Sequence, residues 1–140
     1  MQGMNRRIGD MLDQHPLDSG INQVLVANAL ALLHECAAVC GLCADACLHE
    51  VDVQELRTCI RLNQDCATVC NATAQVLTRR SESTTDTALI EQLRACALTC
   101  EACSQECARH AGHMEHCATC AAACRECANA WEQLLDAIQA

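Results

Sequence analysis

"LRACALTCEACSQECARHAGHMEHCATCAAACRECANAW", residues 93–131, decides the fold, because its eight cysteines are spaced by three, four or ten residues. Spacings of three and four return to the same face of an α-helix, so the thiols form two stripes. Cys96, Cys100, Cys103 and Cys107 lie on one helix, and Cys117, Cys120, Cys124 and Cys127 on the next. The ten-residue interval between them holds His110, His113 and His116, with Gly112 as a helix stop. The same period governs the rest of the chain. Cys36, Cys40, Cys43 and Cys47 lie within roughly 60° of one another on an earlier helix, and Cys59, Cys66 and Cys70 share a face of another. All fifteen cysteines of the 140-residue chain thus fall on four core-facing stripes.

Capping residues set the expected boundaries. Asp18 or Ser19 can cap a first helix running to about His49, and Asp52 with Glu55 makes a capping-box-like start for a second running to about Arg80. The polar stretch "SESTTD", residues 81–86, reads as a linker. Asp86 can cap a third helix ending near Ala111, and a fourth runs from about His113 to Ala140. Each spans roughly 40 Å, and three short connections favour antiparallel neighbours. The expected fold is all-α: an antiparallel up-down-up-down four-helix bundle over residues 19–140, with residues 1–18 as an N-terminal segment in which residues 5–14 form a short extra helix. Composition agrees, since Trp131 is the only aromatic residue and one proline with five glycines cannot supply the turns of an all-β fold.

The stripes continue as hydrocarbon toward one end. Leu25, Leu32 and Leu33 precede the first set of cysteines, Leu77 follows the second, Leu89 and Leu93 precede the third, and Trp131, Leu134 and Ile138 follow the fourth. In an antiparallel bundle these meet at one end, giving an apolar plug and a thiol-lined interior that opens near residues 50 and 112. Leu, Val, Ala and protonated Cys can supply a core, so the chain is expected to be helical before any metal binds.

A net charge of -9, with nine arginines, no lysine and eighteen acids, opposes binding to nucleic acid or an anionic membrane. Asp10, Asp13, Pro16 and Asp18 interrupt any secretory signal. Arg6-Arg7 before "VLVANALALL" (residues 24–33) imitates a twin-arginine leader, but acids lie between the two and Asn28 breaks the apolar run. The expectation is a cytoplasmic protein whose thiols stay reduced.

Fifteen aligned thiols call for a metal. Cysteines four apart on a helix are about 6 Å apart along the axis, poor geometry for a disulfide that needs Cβ atoms about 3.8 Å apart. Ala or Val would fill a core without the oxidation hazard. Zinc takes separate tetrahedral quartets and iron–sulfur clusters take compact loops, whereas a continuous ladder suits a soft ion content with two or three shared thiolates, which is Cu(I). No arginine falls on the stripes, so bound ions would supply the charge that buried thiolates need. The expected cofactor is therefore Cu(I), many ions per chain. Two other classes fit less well: a thiol-based redox protein, and a zinc or mixed-metal buffer of the metallothionein kind. No nucleophile–base–acid set or phosphate loop is visible and the acids fall mainly on outward faces, so the chain does not read as an enzyme.

His110 continues the third stripe one turn beyond Cys107, and His113 precedes Cys117 by one turn. Met114 and His116 share that turn and His49 ends the first helix, so these side chains gather at the open end. Imidazole and thioether are exchangeable partners for Cu(I), suited to capture and hand-over, although polar loops also carry solvent-facing histidines. His34 points about 160° from its cysteine stripe, toward the surface or a subunit contact.

The four cysteine-lined segments, the "HAGHMEHC" turn at residues 110–117 and the missing signal peptide resemble the cytosolic branch of the bacterial copper storage proteins, over residues 20–140. The resemblance implies a homotetramer of four-helix bundles that stores many Cu(I) ions on the cysteines named above, fed by a copper chaperone or a small-molecule thiol donor. Asn63, on the core face between Cys59 and Cys66, sits where another thiol would continue the second stripe, and is carried as a further metal-site candidate.

Overall fold

Gly20, at φ 78°, takes the left-handed conformation that breaks any helix begun before it. Asn22 then starts the helix, its Oδ1 accepting the backbone N–H groups of Val24 at 2.9 Å and Leu25 at 3.3 Å. The structure, a computed structural model, describes residues 2–16, 20–79 and 87–139. Its elements are α1 (Gln2–Asp13), α2 (Gln23–Leu48), a 3-10 turn (Val53–Leu56), α3 (Arg57–Thr78), α4 (Thr87–His110) and α5 (Glu115–Gln139). Asp18, Ser19, the linker at 81–86 and Asp86 lie outside the described residues, so the cap on the first bundle helix is Asn22.

Two other expected helix ends differ. Asp52 makes no side-chain cap, and the chain instead winds a 3-10 turn in which the Glu55 N–H donates to the Asp52 carbonyl at 2.9 Å. Leu56, 1% exposed, pins that turn to the core, and the α-helix proper begins at Arg57. Gly112 has no positive φ. The end of α4 closes by tightened bonds instead, from Ala111 N–H to Ala108 and from His113 N–H to His110.

α2 packs on α3 and α5, and α4 packs on the same two, which closes a ring of four antiparallel helices. α1 lies against α2, held by Ile8 and Leu12 on the core and by Gln23 Nε2 donating to the Leu12 carbonyl at 3.3 Å. By length and composition α2 could cross a membrane; here half of its most apolar window is buried in the bundle.

The apolar plug is present, with one change of membership. Leu33, Leu77, Leu89, Leu93, Trp131, Leu134 and Ile138 are buried as expected, but on α2 Val26 and Leu30 are buried while Leu25 and Leu32 are only half-buried. The run from Val24 to Leu33 is so uniformly apolar that its periodicity does not select a face. Each fully buried Leu contributes about 1.5–3 kcal/mol, so Leu93→Ala alone should remove roughly 2–5 kcal/mol.

Candidate metal centre

Every one of the fifteen thiols is reduced and buried, none more than 2% exposed. Antiparallel pairing sets Cys100 beside Cys127, Cys103 beside Cys124 and Cys107 beside Cys120, while across α2 and α3 Cys36 stands 3.8 Å from Cys66. From the plug outward, Cys96 lies 4.0 Å from Cys70. Next come four groups whose sulfurs lie within 4.8 Å of one another: Cys36, Cys70, Cys100 and Cys127; then Cys36, Cys40, Cys66 and Cys124; then Cys40, Cys103, Cys120 and Cys124; then Cys43, Cys107 and Cys120. At the mouth Cys43, Cys47 and Cys117 join His116. Cys59, 3.6 Å from Cys107, completes the line.

Neighbouring groups have members in common. Cys36, Cys40, Cys124, Cys120 and Cys43 each belong to two. Close sulfur pairs run from 3.4 Å for Cys40 and Cys124 to 4.0 Å for Cys40 and Cys103. With a metal–thiolate bond of about 2.3 Å, three sulfurs around one ion stand about 4.0 Å apart, so these spacings accept ions with little movement.

Asn63 lies inside this line, fully buried. Its Oδ1 accepts the S–H groups of Cys103 (3.1 Å), Cys107 (3.3 Å) and Cys120 (3.3 Å), and its Nδ2 donates to Cys59 at 3.7 Å. The carboxamide therefore occupies a ladder position and offers an oxygen to the same space as four sulfurs.

The thiols differ in how readily they ionise. Cys66 is held far below the ordinary thiol range, first by its hydrogen bond with Cys100. Cys96 is drawn down to about 4, chiefly by Cys100 and then Cys70. Their partners are pushed up: Cys70 chiefly by Cys100, and Cys124 chiefly by Cys103. At the mouth burial is the leading cause, raising Cys47 and pushing Cys117 up to about 12. An ion that binds such thiols displaces protons and brings the positive charge that the interior lacks.

Of the histidines, His116 reaches the sulfurs. Its Nδ1 is 3.4 Å from Cys43 and 3.6 Å from Cys117, and its Nε2 lies 3.8 Å from Glu50. His110, 18% exposed, turns its Nε2 to Glu106 Oε2 at 2.9 Å, so that in the neutral ring Nε2 carries the proton and Nδ1 is the acceptor. Glu106 is one acid that does not face outward: its side chain is 10% exposed and also takes Arg109 at 3.2 Å. The signal that could have found it is its place beside Cys107 and four residues before His110. His113 is exposed and Met114 packs on the core. His49 is exposed with Nδ1 donating to the Asp45 carbonyl at 3.0 Å, so only its Nε2 is left to offer, and His34 is exposed.

The chain as a whole has similar relatives among known proteins. The sequence profile of the copper storage proteins matches residues 22–136. Among solved structures, the copper storage protein Ccsp from Streptomyces lividans, loaded with 10 copper equivalents, is 44% identical with a TM-score of 0.89, covering 93% of this chain and 98% of its own. A cytosolic copper storage protein from the same organism, with five coppers, is 47% identical with a TM-score of 0.77, over 80% of this chain and 92% of its own. The Cu(I)-bound copper storage protein BsCsp3 is 30% identical with a TM-score of 0.68, over 79% of this chain and 97% of its own. Comparison with curated protein sequences gives no match. A profile match over residues 22–136, together with 44% identity to a copper-loaded member across 93% of the chain, places this protein in the copper storage protein family.

Proposed function

We propose that this chain is a cytoplasmic store that takes up many Cu(I) ions along its sulfur line and gives them back through the end that His116 lines. The observation that carries this reading is the sharing of sulfurs between adjoining groups. Separate structural sites would keep their ligands apart, whereas shared thiolates let neighbouring ions bridge, which suits a soft monovalent ion and approaches one ion per cysteine.

In this reading all fifteen cysteines are ligands, with the Asn63 Oδ1 as the oxygen donor and the His116 Nδ1 as the nitrogen donor beside them. His110, His113, Met114 and His49 serve uptake and release at the rim, His110 through the Nδ1 that Glu106 leaves free. Residues 19–140 serve as the storing bundle and residues 1–18 as a separate N-terminal segment, of which α1 lies against α2. The bundle works as a homotetramer, filled by a copper chaperone or a small-molecule thiol donor, and it performs no catalysis. Anaerobic titration against competing Cu(I) and Zn(II) chelators tests the reading. Cu(I) should be held in preference to zinc with every thiol protected; preference for zinc, or specific disulfides cycling at cytosolic potential, contradicts it.

A further inference from the structure

The inner end of the sulfur line stops against an indole. Trp131 follows Cys127 by one turn on α5 and Cys96 precedes Cys100 by one turn on α4. The register that pairs Cys100 with Cys127 therefore brings Trp131 opposite Cys96. Cys96 is the terminal thiol, touching the line through Cys70 at 4.0 Å. Trp131 is fully buried, and its Nε1–H has no hydrogen-bond partner among the described residues. An unpaired buried donor is costly and calls for an explanation.

The neighbouring hydroxyl cannot take the indole's part. Thr73 Oγ1 donates its one proton to the Val69 carbonyl at 2.7 Å and accepts from Gln92 Nε2 at 2.9 Å. The thiol of Cys96 is a weak acceptor while protonated and a strong one once ionised.

We propose that the Trp131 N–H is the donor that holds the Cys96 thiolate when the innermost Cu(I) binds there, so that loading gives the indole the partner it lacks. The inference rests on the storage reading. It makes Trp131 a positioning residue for the last ligand: a charge-assisted N–H···S bond orients the sulfur and strengthens its grip on the metal.

Because Trp131 is the only tryptophan, a 1H–15N correlation spectrum of the whole protein shows one indole signal, and filled-shell Cu(I) leaves it sharp. The measurement is that signal during anaerobic Cu(I) loading, with copper content determined on the same samples. The indole proton should move downfield on full loading of the parent protein and stay in place in Cys96→Ala. In a second arm, tryptophan is replaced during expression by its benzothiophene analogue, which keeps the bicyclic shape and lacks the N–H. A competing chelator should then remove the innermost ion roughly ten- to a hundredfold more easily, with the metal-free melting temperature unchanged or higher. Full loading without a shift, an equal shift in Cys96→Ala, or unchanged retention in the analogue overturns the proposal alone. A protein that fails to load many ions overturns the storage reading and this inference with it.

Discussion

Cutting the sulfur line in the middle tests whether ions travel along it. The hydrogen-bonded sulfur pairs that join the mouth-side thiols to the plug-side thiols all run through Cys40 or Cys124: Cys36 to Cys40, Cys36 to Cys124, Cys66 to Cys124, Cys40 to Cys103 and Cys40 to Cys120. The double variant Cys40→Ala/Cys124→Ala removes those links. Both side chains are fully buried, and replacing a sulfur by hydrogen costs about 1–2 kcal/mol at each site, about 2–4 in all against a usual domain stability of about 5–15 kcal/mol. The metal-free variant should fold. With one ion per thiolate the full load falls only from ~15 to ~13. The rate should change more. Cys36 and Cys43 are seven residues apart, about 10.5 Å along α2, and without the intervening sulfurs an ion crossing that stretch must give up ligands in transit. A barrier raised by as little as 1.4 kcal/mol slows transfer about tenfold, so filling of the plug-side thiols should lag by at least that factor while the mouth-side thiols fill at the parent rate. Stopped-flow loading, with metal content measured after each phase, separates the two. A single phase at the parent rate, with the plug side filled, would refute transport along the sulfurs.

His116→Ala removes the imidazole that stands 3.4 Å from Cys43, and should slow loading and release while lowering capacity by no more than about one ion; unchanged kinetics would remove His116 from the uptake path. The metal-free protein should lose stability in alkali. Cys117 is raised from its ordinary 9.0 to about 12, first by burial and then by the charges of Cys47 and Cys59. A raised thiol keeps its proton in the folded state, so its contribution is intact below pH 9 and is lost as pH rises from 9 to 12. Thermal melts of the reduced protein across that window check this, and rising stability there would contradict it. Asn63→Leu is of similar volume and should leave the metal-free melt within about 1 kcal/mol of the parent, since the lost S–H contacts are offset by removing a buried amide. The same change should weaken copper retention where Cys59, Cys103, Cys107 and Cys120 converge, read as easier removal by a chelator, and unaltered retention would take Asn63 out of the ligand set.

The four helices and the inward direction of every cysteine were legible in the sequence because spacings of three and four fix a face whatever else surrounds them. The same spacings implied the continuous line, and the structure adds the shared groups. Periodicity carries no phase across a turn, which is why residues 110–116 could be assigned to the mouth but not sorted. The tightened close of α4 at Ala111 and the start of α5 at Glu115 turn His116 onto Cys43 and leave His113 exposed. Local competition hid the other details. Gly20 displaced the first cap to Asn22, Leu56 drew the Asp52 turn into a 3-10 form, and Glu106 was buried by two partners, Arg109 and His110. Trp131 read as plain hydrocarbon because its unpaired N–H becomes visible only once the helices are packed.

Copper content at saturation tests the central claim most directly. The protein is loaded anaerobically with Cu(I), washed with a chelator of moderate affinity, and analysed for metal per chain. A continuous line of shared thiolates predicts a plateau above ten, of order ~15 ions for fifteen cysteines. Separate four-thiol sites would stop at about three or four, and a plateau there would contradict the account.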